Sequence, residues 1–287
     1  MAMPLLSPGD TVGRFTVETI LGHGGMGVVY KVRDPKTQMP YAAKVLNPDR
    51  MSGRDFVKRF RTEAKTAAKL THMNVVHAFK LKGWQGTLFY VMELVDGRAL
   101  DEILKNDARL TLARSLVIVR DVAAALDYVH SKRYVHRDVK PGNVLVRADD
   151  HVKLIDFGLS QRPGRVKRTR SGHVMGTAKY MAPELIAGAW AYPHTDIYAL
   201  GCLMYELLSG KPPFDADDAD LITDMHLYSR HKPLSKVVSG LDENLSLLVD
   251  RMLVKDVARR ASSARAIHGW LDFSIANNWF ANLPKGL

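Results

Sequence analysis

Two short runs constrain this chain more than any other feature. The first is His136-Arg137-Asp138-Val139-Lys140-Pro141-Gly142-Asn143, and the second, thirteen residues further on, is Asp156-Phe157-Gly158. Together they place two carboxylates, a lysine and a carboxamide on one short stretch. Apolar runs at residues 143–146 and 151–155 read as strands, so the polar groups would be held by a small sheet. Transfer of a phosphoryl group from ATP needs this set. One carboxylate orients the attacking hydroxyl, a carboxylate and a carboxamide hold Mg²⁺ on the phosphates, and a cation offsets the charge on the group in transit.

The rest of the chain divides by pattern. Residues 11–46 alternate apolar and polar positions rich in β-branched side chains, in Phe15-Thr16-Val17, Gly27 to Val32 and Tyr41 to Val45, as hairpin strands do. Residues 55–70 read as a helix, because Phe56, Phe60, Glu63, Ala67 and Leu70 recur at steps of four, three, four and three on one face. Strands return at 75–82 and 88–94. From Leu100 onward helical periodicity dominates, over 114–129, 195–209 and 245–253. A small strand-rich part, residues 1–95, therefore precedes a larger helical part, residues 96–287, with the join at about 93–98. This is an α+β chain without internal repeats or a low-complexity linker.

Gly22-His23-Gly24-Gly25-Met26-Gly27-Val28-Val29 has the spacing G-x-G-x-x-G-x-V. Dinucleotide-binding folds use a similar spacing, but there a helix follows the glycines. Here a strand follows, which fits a glycine hairpin whose backbone N–H groups approach phosphate oxygens. Lys44 lies on the next apolar strand. Glu63 lies on the apolar face of its helix, where an unpaired carboxylate is costly, so a buried cation should meet it.

With these motifs in place the chain resembles the eukaryotic-like (Hanks-type) bacterial serine/threonine protein kinases, over about residues 15–272. The match covers both runs of the opening motif in full, the glycine loop, Ala42-Ala43-Lys44-Val45 and Gly176-Thr177-Ala178-Lys179-Tyr180-Met181-Ala182-Pro183-Glu184. The resemblance implies a bilobal fold and a non-specific serine/threonine protein kinase, with ATP and Mg²⁺, or Mn²⁺ in its place, as cofactors. Asp138 would be the catalytic carboxylate and Lys140 would contact the γ-phosphate. Asn143 and Asp156 would hold the metal, and Lys44 paired with Glu63 would align the α- and β-phosphates. Leu21, Gly22, Gly24 and Gly27 would cover the nucleotide. Val29, Ala42 and Leu145 would sandwich adenine, Met92 would be the gatekeeper, and the backbones of Glu93 and Val95 would meet the base. Thr177 is the expected partner of Asp138 and Lys140 in substrate docking, and Glu184 that of Arg260. Lysine at 140 is what serine/threonine-specific members carry. Met73 and Val257 stand where the family often has proline, which bears on loop stiffness rather than catalysis.

By the same resemblance, the segment from Arg162 to Ser171 is an activation loop. Five of its ten residues are basic and none is acidic. Thr169 and Ser171 are the expected autophosphorylation sites, with Arg137 as the receptor for the phosphate through charge-assisted contacts. Self-association for phosphorylation in trans is the corresponding partner expectation, beside protein substrates with serine or threonine acceptors.

Composition excludes other classes. The 287 residues are 46% hydrophobic, enough for a sizeable core. One cysteine, Cys202, allows neither a disulfide framework nor a cysteine-based zinc site. The formal charge of +11 invites a nucleic-acid partner, yet no nucleic-acid-binding signature is present, and a phosphate cleft or acidic partners suit the charge as well. Asp215, Asp217, Asp218 and Asp220 do not form a calcium loop: the sixth position is Asp220 rather than glycine, and the twelfth is His226. No signal peptide or membrane span is legible, so a cytoplasmic setting is expected, including that of the cytoplasmic part of a longer membrane-anchored protein. Two other classes compete. A nucleotide-binding scaffold without activity would show degraded motifs. A small-molecule phosphotransferase would need neither Arg137 nor the Ala182-Pro183-Glu184 platform.

Overall fold

A computed structural model of the chain describes residues 5–23, 27–47, 53–106, 110–157, 175–261, 263–277 and 279. The chain forms two compact units, one made of the residues up to Asp96 with the stretch beginning at Asp156, the other of the remainder from Gly97. The sequence pattern suggests a single cut near 95–96. The structure instead places Asp156 and Phe157 with the first unit.

The first unit is an antiparallel sheet with one helix. Its strands are β1 (Thr11–Val12), β2 (Phe15–His23), β3 (Gly27–Arg33), β4 (Pro40–Leu46), β5 (Ala78–Trp84) and β6 (Thr87–Glu93), in the order β1-β2-β3-β4-β6-β5. Side-chain alternation explains the outer strands, where β2 buries Phe15 and Val17 and turns Thr16 and Glu18 outward. The inner strand β6 is different. It has neighbours on both edges and buries five successive residues, Thr87 to Val91, hence its unbroken apolar run. The sheet core joins Val12, Tyr30, Val32, Ala43, Val45, Phe89 and Val91. Helix α1 (Arg54–Ala67) buries Phe60, Glu63, Ala64 and Ala67, the face its spacing marks. Strand β5 begins at Ala78 rather than near Val75. Val75 instead closes an isolated bridge with His72, which turns the chain before the sheet.

The second unit holds a small sheet and the remaining helices. Strands β7 (Gly97–Ala99), β8 (Val144–Arg147) and β9 (Val152–Leu154) pair antiparallel, with Ala99 and Lys153 both opposite Leu145. The helices are α2 (Leu100–Asn106), α3 (Leu112–Ser131), α4 (Met175–Ala178), α5 (Pro183–Ile186), α6 (Pro193–Ser209), α7 (Ala219–Tyr228), α8 (Glu243–Met252) and α9 (Ala264–Ala276). Helix α6 is the axis. It is buried on nearly every side and packs on α3 and α8. Thr111 caps α3, Asp242 caps α8 and Ser263 caps α9 through side-chain oxygens that accept backbone N–H bonds. Helix α6 ends at Gly210, whose φ of 82° an L side chain would resist. The acidic run before α7 is a solvated entry: Asp218 caps the helix, and no metal-ligating group of three acidic, histidine or cysteine side chains exists among the described residues. Nor is any described helix long and apolar enough to cross a membrane.

Candidate active site

In the first unit, the β4–β6 register sets Lys44 opposite Tyr90. Lys44 Nζ donates to Glu63 Oε1 at 2.6 Å, and the Tyr90 hydroxyl donates to the same oxygen. Asp156 Oδ1 is 3.8 Å from Lys44 Nζ. Burial alone would lower the Lys44 pKa, but the Asp156 and Glu63 carboxylates outweigh it and hold the ammonium charged well into the alkaline range. Burial raises the Glu63 carboxyl, against the pull of Lys44 and Tyr90. The second oxygen, Glu63 Oε2, is buried without a hydrogen-bond partner among the described residues. The part played by Tyr90 is not legible in the sequence. Its signal lay in the strand pairing, which no single strand reveals.

The glycine hairpin supplies a second feature of this unit. A Cβ on Gly27 would lie 1.9 Å from the Val45 carbonyl oxygen, so only glycine lets β3 run this close to β4. Leu21 is exposed and Gly22 has open space where a Cβ would stand. Gly24 lies outside the described residues. Val29 is half-buried opposite Lys44, and Ala42 is buried opposite Met92. The Glu93 N–H donates to the His77 carbonyl, and Glu93 Oε1 accepts from the His77 N–H, which anchors the end of β6. Val95 follows without a backbone hydrogen bond among the described residues.

In the second unit, the loop from His136 to Asn143 is fixed from below by Asp196 of α6. Its carboxylate accepts from the N–H of His136 at 2.8 Å and of Arg137 at 2.7 Å, and Oδ2 is 2.8 Å from His130 Nε2. Burial would raise this carboxyl, but the hydrogen bonds and the histidine charges win and hold it below the usual range. The anchor imposes a left-handed backbone on Arg137, with φ at 73°, a conformation that surroundings must over-determine. Asp156 has φ at 63°, also unusual for a non-glycine residue.

On this anchored loop the polar groups converge. Lys140 Nζ donates to Asp138 Oδ2 at 2.8 Å and to Thr177 Oγ1 at 3.1 Å. Asn143 Nδ2 donates to the Asp138 carbonyl at 2.7 Å and to Asp138 Oδ2 at 2.9 Å. With its donor nitrogen committed to Asp138, Asn143 has its amide oxygen as the atom it could offer a cation. Amide and carboxylate oxygens are the hard donors Mg²⁺ prefers, and a sparse protein set suits an ion that keeps waters and phosphate oxygens in its shell. The Asn143 amide, in the second unit, and the Asp156 carboxylate, in the first, each carry an oxygen of that kind. The loop is tied to β9 by the Ile155 N–H on the Asn143 carbonyl and by His136 Nε2, 3.0 Å from the Ile155 oxygen. Leu145 is half-buried on β8. Behind Thr177, Arg260 grips Glu184 with two bonds of 2.8 and 2.9 Å, and Thr195 adds a third at 2.9 Å. Thr169 and Ser171 lie outside the described residues.

The chain belongs to the protein kinase domain family: residues 15–271 match it. Three serine/threonine-protein kinases of Mycobacterium tuberculosis are similar to it. PknA is 38% identical over 256 residues, covering 88% of this chain and 59% of the relative. PknJ is 36% identical over 265 residues, covering 90% and 45%. PknD is 36% identical over 257 residues, covering 89% and 39%. The chain thus spans at most about three-fifths of the length of these relatives. The α+β fold expected from the sequence is the fold found, and bacterial relatives of this kind are the family resemblance read there.

Proposed function

We propose that this chain transfers the γ-phosphoryl group of Mg-ATP to serine and threonine hydroxyls of proteins. The observation that carries the reading is the knot of Asp138, Lys140, Asn143 and Thr177 on a loop anchored by Asp196. Asp138 orients the acceptor hydroxyl and takes its proton as the oxygen attacks the γ-phosphorus. The bond to the β–γ bridging oxygen breaks and ADP leaves. Lys140 faces the charge on the moving group. Lys44, held by Glu63, which Tyr90 bonds in turn, fixes the α- and β-phosphates, and Leu21, Gly22, Gly24 and Gly27 cover them. Val29, Ala42 and Leu145 hold adenine, with Met92 behind it and the Glu93 and Val95 backbones at its edge. Asn143 and Asp156 would hold Mg²⁺, which would supply positive charge to offset that of the phosphates. Thr177 lines the place of the acceptor.

Autophosphorylation at Thr169 or Ser171 in a second copy, with Arg137 as phosphate receptor, is part of the proposal. A cytoplasmic setting is too, since ATP and a lone buried thiol suit a reducing compartment. Incubation with Mg-ATP and a generic basic protein tests the activity, read as phosphoserine and phosphothreonine. Wild type should label both chains and Asp138→Asn neither. Phosphotyrosine alone, or no transfer by wild type, would sink the reading.

A further inference from the structure

Helix α7 carries a buried histidine to which the chemistry above gives no part. His226 is fully buried, and its Nδ1 lies 2.8 Å from the Tyr198 hydroxyl of α6. Burial keeps that hydroxyl protonated, so it is able to donate. The imidazole packs edge-on against Phe214, with 4.8 Å between ring centroids. Lys255 Nζ lies 4.9 Å over the same Phe214 ring and donates to the His226 carbonyl. Burial and the Lys255 charge push the histidine down to about 3, so the ring is neutral at ordinary pH. Its Nε2 is buried as well and has no hydrogen-bond partner among the described residues. The Lys179 and Ala178 carbonyls act on the ring in the opposite sense, favouring a proton on it. A lone pair turned towards two carbonyls would be repelled. Nε2 therefore carries the proton, and Nδ1 accepts from Tyr198.

We propose that His226 is a positioning residue for the acceptor turn, its Nε2–H drawn to the backbone at 178–179 so that Thr177 stays aimed at Lys140. The inference rests on the protein-kinase reading and deepens it on the acceptor side. Thr177 Oγ1 is 3.1 Å from Lys140 Nζ. The turn that begins there closes through the Tyr180 N–H on the Thr177 carbonyl at 3.3 Å and the Met181 N–H on the Ala178 carbonyl at 3.1 Å. A donor from α7 at Ala178 or Lys179 fixes the residues next to Thr177. Its setting is firm: α4 packs on α7, and Arg260, which grips Glu184, lies 4.9 Å over the Tyr198 ring. Tyr198 thus touches both ends of the docking segment, through His226 at its start and Arg260 at its end. No described contact of His226 reaches a residue assigned to nucleotide or metal. Loss of its donor should therefore harm transfer to a peptide and spare the reaction of ATP with water.

The test uses the whole chain and Mg-ATP, with a short threonine peptide as acceptor and, separately, with water alone. Glutamine places an amide N–H near the position of imidazole Nε2, whereas asparagine reproduces only the Nδ1 acceptor. His226→Asn should lower kcat/KM for the peptide about tenfold, with ATP hydrolysis and the KM for ATP within about twofold of wild type. His226→Gln should return the peptide value to near that of wild type. An unchanged peptide value in His226→Asn, no recovery in His226→Gln, or equal loss of transfer and hydrolysis would overturn the positioning role. Should neither variant fold, Tyr198→Phe decides. It frees Nδ1 and with it the tautomer, so transfer should fall about threefold at constant hydrolysis; an unchanged ratio would overturn the role. Absence of transfer by wild type to any peptide or protein would overturn the kinase reading itself.

Discussion

At the scale of single residues, Lys44 and Glu63 are the most exposed to loss, because each neutralises the other where both are buried. Lys44→Met keeps most of the volume but strands a buried carboxylate whose Oε2 has no partner among the described residues. It should cost about 3 kcal/mol of folding stability and lower phosphoryl transfer at least ~10²-fold. Denaturant unfolding and ATP turnover check the two arms; an unchanged midpoint would mean the pair is not a buried dependency. His226 gives a pH effect of defined sign. It is fully buried, Nδ1 lies 2.8 Å from Tyr198 Oη, and burial with the nearby Lys255 charge pushes it down to about 3. The unfolded chain takes up this proton near pH 6.5, the folded chain only near the depressed value. Stability should therefore fall as pH drops through that window, by about 2 kcal/mol between pH 7 and pH 5. In His226→Gln this part of the slope should vanish, whatever the variant's stability at pH 7. A slope identical to wild type would contradict the assignment.

At the scale of elements, α6 serves as both core and anchor. Its Gly201 lets α8 approach so closely that a Cβ would stand 2.8 Å from the Met252 Cβ. Gly201→Ala should cost about 1–3 kcal/mol, visible as a lowered Tm. Asp196 supports the loop above it through two backbone N–H groups, and Asp196→Asn can accept with only one oxygen. That variant should lose about 2 kcal/mol and much of the turnover, since Arg137 has less to hold its φ of 73°. Wild-type turnover in Asp196→Asn would show that the loop is held by other means. Elements were legible where one rule governed them. The α1 face followed from its steps of three and four, and β2 from its alternation. The start of β5 was not legible, because Val75 is apolar and β-branched yet is claimed by a local turn with His72.

At the scale of the whole molecule, the readable part of the chemistry was the part written in contiguous motifs. Asp138, Lys140 and Asn143 lie within six residues, so their convergence required only a tight loop. Thr177 joins them from 37 residues away, and Tyr90 joins Glu63 from 27. Such contacts depend on register and helix packing, which resemblance to a family supplies and periodicity does not. Removal of divalent metal should abolish transfer by the intact chain, with return on adding Mg²⁺, because Lys44 and Lys140 alone do not offset the phosphate charge and the ion proposed at Asn143 and Asp156 supplies the rest. Transfer that persists in excess chelator would oppose the metal assignment. The central claim is that Asp138 directs phosphate from ATP to a hydroxyl. Intact mass spectrometry of wild type and Asp138→Asn after incubation with Mg-ATP, with the modified residues mapped, measures it directly. Added phosphate is expected on wild type, on threonine or serine, and none on the variant. Equal phosphate on both proteins, or none on either, would contradict it.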